Sequence, residues 1–285
     1  MINNKILLFC FFLFCFILPK IFSESEISSF TEQNIQIILE TRIKVKNQNT
    51  TEEAKEIFNS LSKSIFSNLE NVAIDYEQEK QILNNLFEIA WYEQTITNQN
   101  RAELRKKMKI AMKSSFKIID ERENEKINKW LYQTAADVTT YYMTRSVPAT
   151  ILYGLKVKEF YKLAAEKGNM AFSNCCLGNW NFFAPAPFGS DRKARKFYEL
   201  AVKEVQTTAE KYLCYHYYSQ FLFEKDDYEE SKKYLQAAYD LNLGTKELDL
   251  TKEFNENGFS YLKFMRNRAG IDEEIPENEK DEEDK

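Results

Sequence analysis

The chain has 285 residues but only one histidine, seven glycines, five prolines and five cysteines. A single imidazole, His216, leaves any zinc site without the usual histidine pair. The metalloprotease, P-loop and nucleophile-elbow motifs do not occur, so no cofactor or metal is implied. Gly and Pro are too scarce for a turn-rich β-sandwich or barrel. A basic surplus is missing too. Lys and Arg total 39 against 44 Asp and Glu, for a net charge of −5, which speaks against a nucleic-acid partner. Residues 1–23 carry only Lys5 and Lys20, and residues 272–285 carry nine acids and two lysines. Residues 24–271 are therefore formally neutral, and the acidity belongs to a solvated tail.

What is present begins with an address. Residues 6–18 run for thirteen apolar positions, about 20 Å as a helix and short of the roughly 30 Å hydrocarbon core. Lys5 precedes the run, Pro19 and Lys20 close it, and Ser23 offers a small residue before Glu24. This is the layout of a secretory signal peptide over residues 1–23, with an uncleaved signal anchor as the competing reading. Export to a periplasmic or extracellular location follows, with membrane contact only through this segment if it is retained. Cys10 and Cys15 each follow Phe, where a lipidation box wants a small residue. Past the leader, Cys175, Cys176 and Cys214 are odd in number and read as small buried hydrophobes. A bridge from Cys214 to either neighbour stays open. Asn49-Thr50-Thr51 matches a glycosylation acceptor.

The body alternates helical stripes with stop signals. Ala54, Ile57, Phe58, Leu61, Ile65 and Leu69 recur at three- and four-residue steps behind a Thr50–Glu53 capping box. Asn100 offers a similar start before Leu104 and Met108, and Gly168, Gly244 and Gly270 suit helix ends. About eleven helices and no convincing strand follow, although Ile43-Lys44-Val45-Lys46 alternates locally. The fold class is all-α. Residues 24–122 form an N-terminal helical region, and residues 123–271 carry repeats.

In the second half, large and small residues recur in a fixed order. Tyr215, Tyr218, Ser219 and Leu222 precede the turn Asp227-Tyr228-Glu229-Glu230-Ser231, and Ala238 lies seven residues beyond Ser231. Upstream, Gly178, Ala194, Phe197, Tyr198 and Ala201 follow the same order, with Trp130, Ala135, Ala136, Phe160 and Ala164 as a fainter unit. The pattern resembles the tetratricopeptide repeat, over about half the chain. The resemblance implies a TPR-like helical-hairpin solenoid of the bacterial cell envelope, whose first helices line a groove for a protein or peptide partner. It does not extend to a carboxylate clamp. Asn179 stands at that clamp's Asn position, but Cys175, Leu213 and Tyr217 occupy positions where polar or basic residues are needed.

Candidate partner-binding residues are Phe183, Pro185, Pro187 and Phe188 in an apolar turn, with Asn179 and Tyr217 on groove helices. The two prolines stiffen the turn. Its plainer role is to tuck Phe183 and Phe188 over the end of their helix pair. Tyr217 and His216 point away from the seam that Tyr215 and Tyr218 fill. The expectation is a non-enzymatic binding or scaffold protein. The alternative is an accessory for solute uptake, with an apolar cavity between helices. An enzyme relying on paired carboxylates is the third reading.

Overall fold

The computed structural model describes residues 26–48, 50–95, 100–168 and 170–268. The leader, Asn49, Gly270 and the acidic tail lie outside these residues. Among the described residues the protein is all-α, with twelve helices and no strand. They are α1 Ser29–Gln48, α2 Thr51–Val72, α3 Tyr76–Thr95, α4 Arg101–Asp120, α5 Lys129–Met143 and α6 Val147–Gly168. After these come α7 Ala171–Phe183, α8 Asp191–Glu204, α9 Thr208–Phe223, α10 Tyr228–Tyr239, α11 Lys246–Glu256 and α12 Tyr261–Arg268. The segment that alternates locally at Ile43–Lys46 is helical and belongs to α1.

Helix starts follow their side chains. Thr50 accepts from Glu53 N and Glu53 reaches back to Thr50 N, closing the expected box. Thr207 and Glu210 form a second box at α9, and Ser190 caps α8. Asn100 is different: its amide donates to the Thr95 carbonyl and does not cap α4. The left-handed stops also differ in part from expectation. Asp226, Asn242 and Gly258 take positive φ at or just past helix ends, whereas Gly244 stands two residues beyond Asn242.

Consecutive helices pack in hairpins, α5 with α6, α7 with α8 and α9 with α10, giving a solenoid-like stack. The small residues sit where the helices approach. Ala135, Ala194, Ala201, Ser219 and Ala238 are fully buried. Gly178 is needed in a stricter sense, because a Cβ there would lie 2.9 Å from the Tyr198 ring. Tyr198 in turn stacks on Tyr218 at 5.8 Å and Tyr215 packs on Tyr234 at 5.8 Å, so both seam positions behave as expected.

The odd-numbered helices form one row. α3 packs on α5, Ser173 of α7 reaches Gln133 of α5, α7 packs on α9, and His216 of α9 meets Thr251 of α11. Helix α1 lies against α3, α9 and α11, along the face of this row. Its Ile35, Ile38, Leu39 and Ile43 are buried in one hydrophobic core that extends to Leu248. The N-terminal helix and the last hairpins therefore share a core.

Candidate functional site

Two regions compete for a functional role: the interior that α1 enters, and the turn between α7 and α8.

The interior is polar as well as packed. Arg42 of α1 makes a two-pronged ion pair with Glu93 of α3, with Nε and Nη2 each 2.7 Å from a carboxylate oxygen. The Tyr141 hydroxyl of α5 donates to the same carboxylate. Burial alone would raise the Glu93 carboxyl, but Arg42 and Lys46 outweigh it and hold it at about 2. Lys46 pairs with Glu247 of α11, which also accepts from the Tyr261 hydroxyl. Burial lowers the Lys46 ammonium less than Glu247 and Glu93 raise it, so it stays charged. At the other end of α1, Ser28 and Thr31 donate to Glu79 of α3, whose second oxygen accepts from Ile74 and Asp75 N–H. Helix α1 is thus pinned at its start by Glu79 and near its end by Glu93 and Glu247.

Beside this network, Asp137 accepts from Gln133 at 2.9 and 3.0 Å and from the Tyr161 hydroxyl at 2.8 Å. Burial pushes its carboxyl up to about 6, against those hydrogen bonds and Arg42. His216 lies 2.8 Å from the Thr251 hydroxyl, which itself donates to the Glu247 carbonyl. The hydroxyl proton is therefore already engaged, so His216 Nε2 carries the donated proton. Burial lowers the imidazole to about 4, with Glu247 opposing and Lys46 assisting.

Tyr217 belongs to this interior. It is half-buried on α9 and faces Lys46 and Glu93, so the helix beside it is the chain's own α1. Asn179 accepts from the Tyr198 hydroxyl of α8, which ties it to its own hairpin. Where the uptake reading expects a cavity between helices, the face of the row holds α1. Two open clefts lie on the surface, one of about 490 Å³ near Asn242 and Glu253 and one of about 1040 Å³ near Asp75, Arg122 and Lys126. Among the described residues, no three His, Cys, Asp or Glu side chains come together in a way that would hold a metal ion.

Among the described residues, Cys175, Cys176 and Cys214 are unbridged. Cys175 and Cys214 are buried against one another, and burial first, then that thiol contact, pushes the Cys175 thiol up. Cys176 is half-buried beside Gln133.

The turn between α7 and α8 remains on the surface. Its backbone is closed by Phe188 N and Gly189 N on the Pro185 carbonyl and by Ser190 N on Asn181 O at 2.8 Å, with a cis peptide before Pro187. Pro185, Pro187 and Phe188 are exposed, and so is Phe183, at 39%. The expectation that Phe183 and Phe188 tuck inward is not met. Phe182 does the covering, edge-on to Phe221 at 5.5 Å with Lys225 5.0 Å over its ring. With Phe182 filling the hairpin end, Phe188 is left 52% exposed. A Cβ on Gly189 would sit 1.9 Å from the Ala184 carbonyl oxygen, a backbone atom that cannot swing aside. Gly189→Ala should therefore open the turn and lower stability by about 1–3 kcal/mol, read from urea unfolding.

Comparison with protein-family models, curated proteins and solved structures gave no match to this chain. Sequence reading missed the interior network. Arg42 and Lys46 look like solvated charges on a helix, because their partners on α3 and α11 are far away in the sequence.

Proposed function

We propose that this is an exported, non-enzymatic repeat protein of tetratricopeptide type that holds a protein partner of the cell envelope on the turn between α7 and α8. The observation that carries the reading is the exposure of Phe188 and Phe183 on a turn stiffened by two prolines and closed by its own hydrogen bonds. A large aromatic held rigid at the surface loses little conformational freedom on binding, so its burial goes into affinity. The partner does not use the row of odd-numbered helices, because α1 lies there. The small residues at Gly178, Ala194, Ser219 and Ser231 support the repeat type, and the apolar leader at residues 6–18 supports export.

The buried acids argue for binding over catalysis. Asp137 has the raised pKa expected of a general acid, yet it is 7% exposed and both of its oxygens are occupied.

The test places a photo-crosslinking amino acid at position 187 in the producing cell and repeats the capture with Phe183→Ala/Phe188→Ala. One protein should be captured in stoichiometric amount, and the double variant should weaken its binding by about tenfold or more at unchanged melting temperature. Capture that survives the double substitution at full strength would sink the reading.

A further inference from the structure

The first half of α6 carries an apolar stripe that the fold does not cover. Val147, Ile151 and Leu155 follow at four-residue steps, with Pro148 and Leu152 beside them. Ile151 is 78% exposed and Val147 71%. The helix has a separate buried side, formed by Ala149, Val157, Phe160, Tyr161 and Ala164, so the stripe is surplus to packing. At its far end, Trp180 of α7 donates from Nε1 to the Gly154 carbonyl at 3.0 Å, and Lys158 lies 4.0 Å over the indole.

The charge around the stripe is mostly of one sign, although Asp120 of α4 pairs with Lys156 at 3.9 Å. Residues 144–158 include Arg145, Lys156 and Lys158 and no carboxylate, and residues 168–190 carry no charge at all. The first turns of α8 add Arg192, Lys193 and Lys196, while Arg195 pairs with Asp227 and Asp191 with Lys225. Lys193 stands close enough to Lys158 to help lower its pKa, after the larger effect of burial. In residues 24–271, neutral as a whole, this is a local cationic surplus.

A convex helix offers no strand edge and no groove, so a peptide or a partner helix finds little to grip. An interfacial bilayer region fits better. Aliphatic side chains sink to the acyl boundary, an indole prefers the headgroup level, and lysines favour anionic lipid. We propose that the first half of α6 docks on an anionic lipid bilayer. This contact is separate from any made by residues 6–18, and it does not rest on the partner-binding role of the turn at 184–190.

The full chain is sedimented with vesicles of equal parts phosphatidylglycerol and phosphatidylcholine, and with vesicles of phosphatidylcholine alone. The leader is identical in every variant, so differences report on α6. Ile151→Glu/Leu155→Glu should weaken partition onto the anionic vesicles by about tenfold or more, and Arg192→Glu/Lys193→Glu by several-fold in low salt. Both variants change exposed residues and should keep the wild-type melting temperature. Equal sedimentation of wild type and Ile151→Glu/Leu155→Glu overturns the proposal, as does equal binding to the two vesicle types. Loss of self-association in that variant with vesicle binding intact would also overturn it, by assigning the stripe to a second copy.

Discussion

Replacing Arg42 with alanine should cost about 3–5 kcal/mol of unfolding free energy, read as a fall in the urea midpoint. The guanidinium satisfies both oxygens of Glu93 in the interior. Without it, the carboxylate loses both of its close guanidinium contacts, while the Tyr141 hydroxyl and the more distant Lys46 charge stay. The loss comes mainly from stranding a charge, so removing that charge as well should return part of it. Arg42→Met/Glu93→Gln should therefore be more stable than Arg42→Ala, because a neutral amide still accepts from Tyr141 at a smaller desolvation cost. A midpoint that does not move in Arg42→Ala would mean that α1 is not seated against the other helices in solution.

The second expected result is a stability profile that is level from pH 6.5 to about 4.5 because two buried groups oppose each other. His216 is held at about 4, below its ordinary 6.5. Its contribution is fully present above pH 6.5 and is lost as the pH falls through 4. Asp137 is held at about 6, above its ordinary 3.8. Its contribution is fully present below pH 3.8 and is lost as the pH rises through 6. Each shift is on the order of 3 kcal/mol, with opposite slopes over nearly the same window. His216→Gln should thus gain stability on acidification from pH 6 to 4, while Asp137→Asn should lose it. Glu93, held at about 2, adds a loss in the wild type as the pH falls from 4.5 toward 2. Melting temperatures across the pH series read all three slopes. Parallel profiles for the two variants would contradict the assignment.

The features that could be read in advance are those with short sequence range. The capping box at Thr50 and Glu53 needs three residues, and the small positions at Gly178, Ala194, Ser219 and Ser231 recur at intervals a reader can count. The exposure of Phe188 was not legible, because three phenylalanines share the turn and only packing decides that Phe182 is the one covered. Tyr217 packs beside the seam cluster of Tyr198 and Tyr218, and the charges it faces come from α1, at the other end of the chain, and from α3. The stripe on α6 had a weak signal: residues 147–157 hold more large apolar positions than one helix face can bury.

The seat of α1 also bears on how the chain reaches its fold. In a stack of repeats each unit touches its neighbours, so stability propagates along the array and an end can fray without disturbing the rest. Here Lys46 closes onto Glu247, linking the first helix to the eleventh and making both ends parts of one cooperative transition. Arg42 can meet Glu93 once α3 has been made, but Lys46 must wait for α11 before it is paired. That raises the contact order above that of an open array and delays the ion pair between the two ends until α11 has been made.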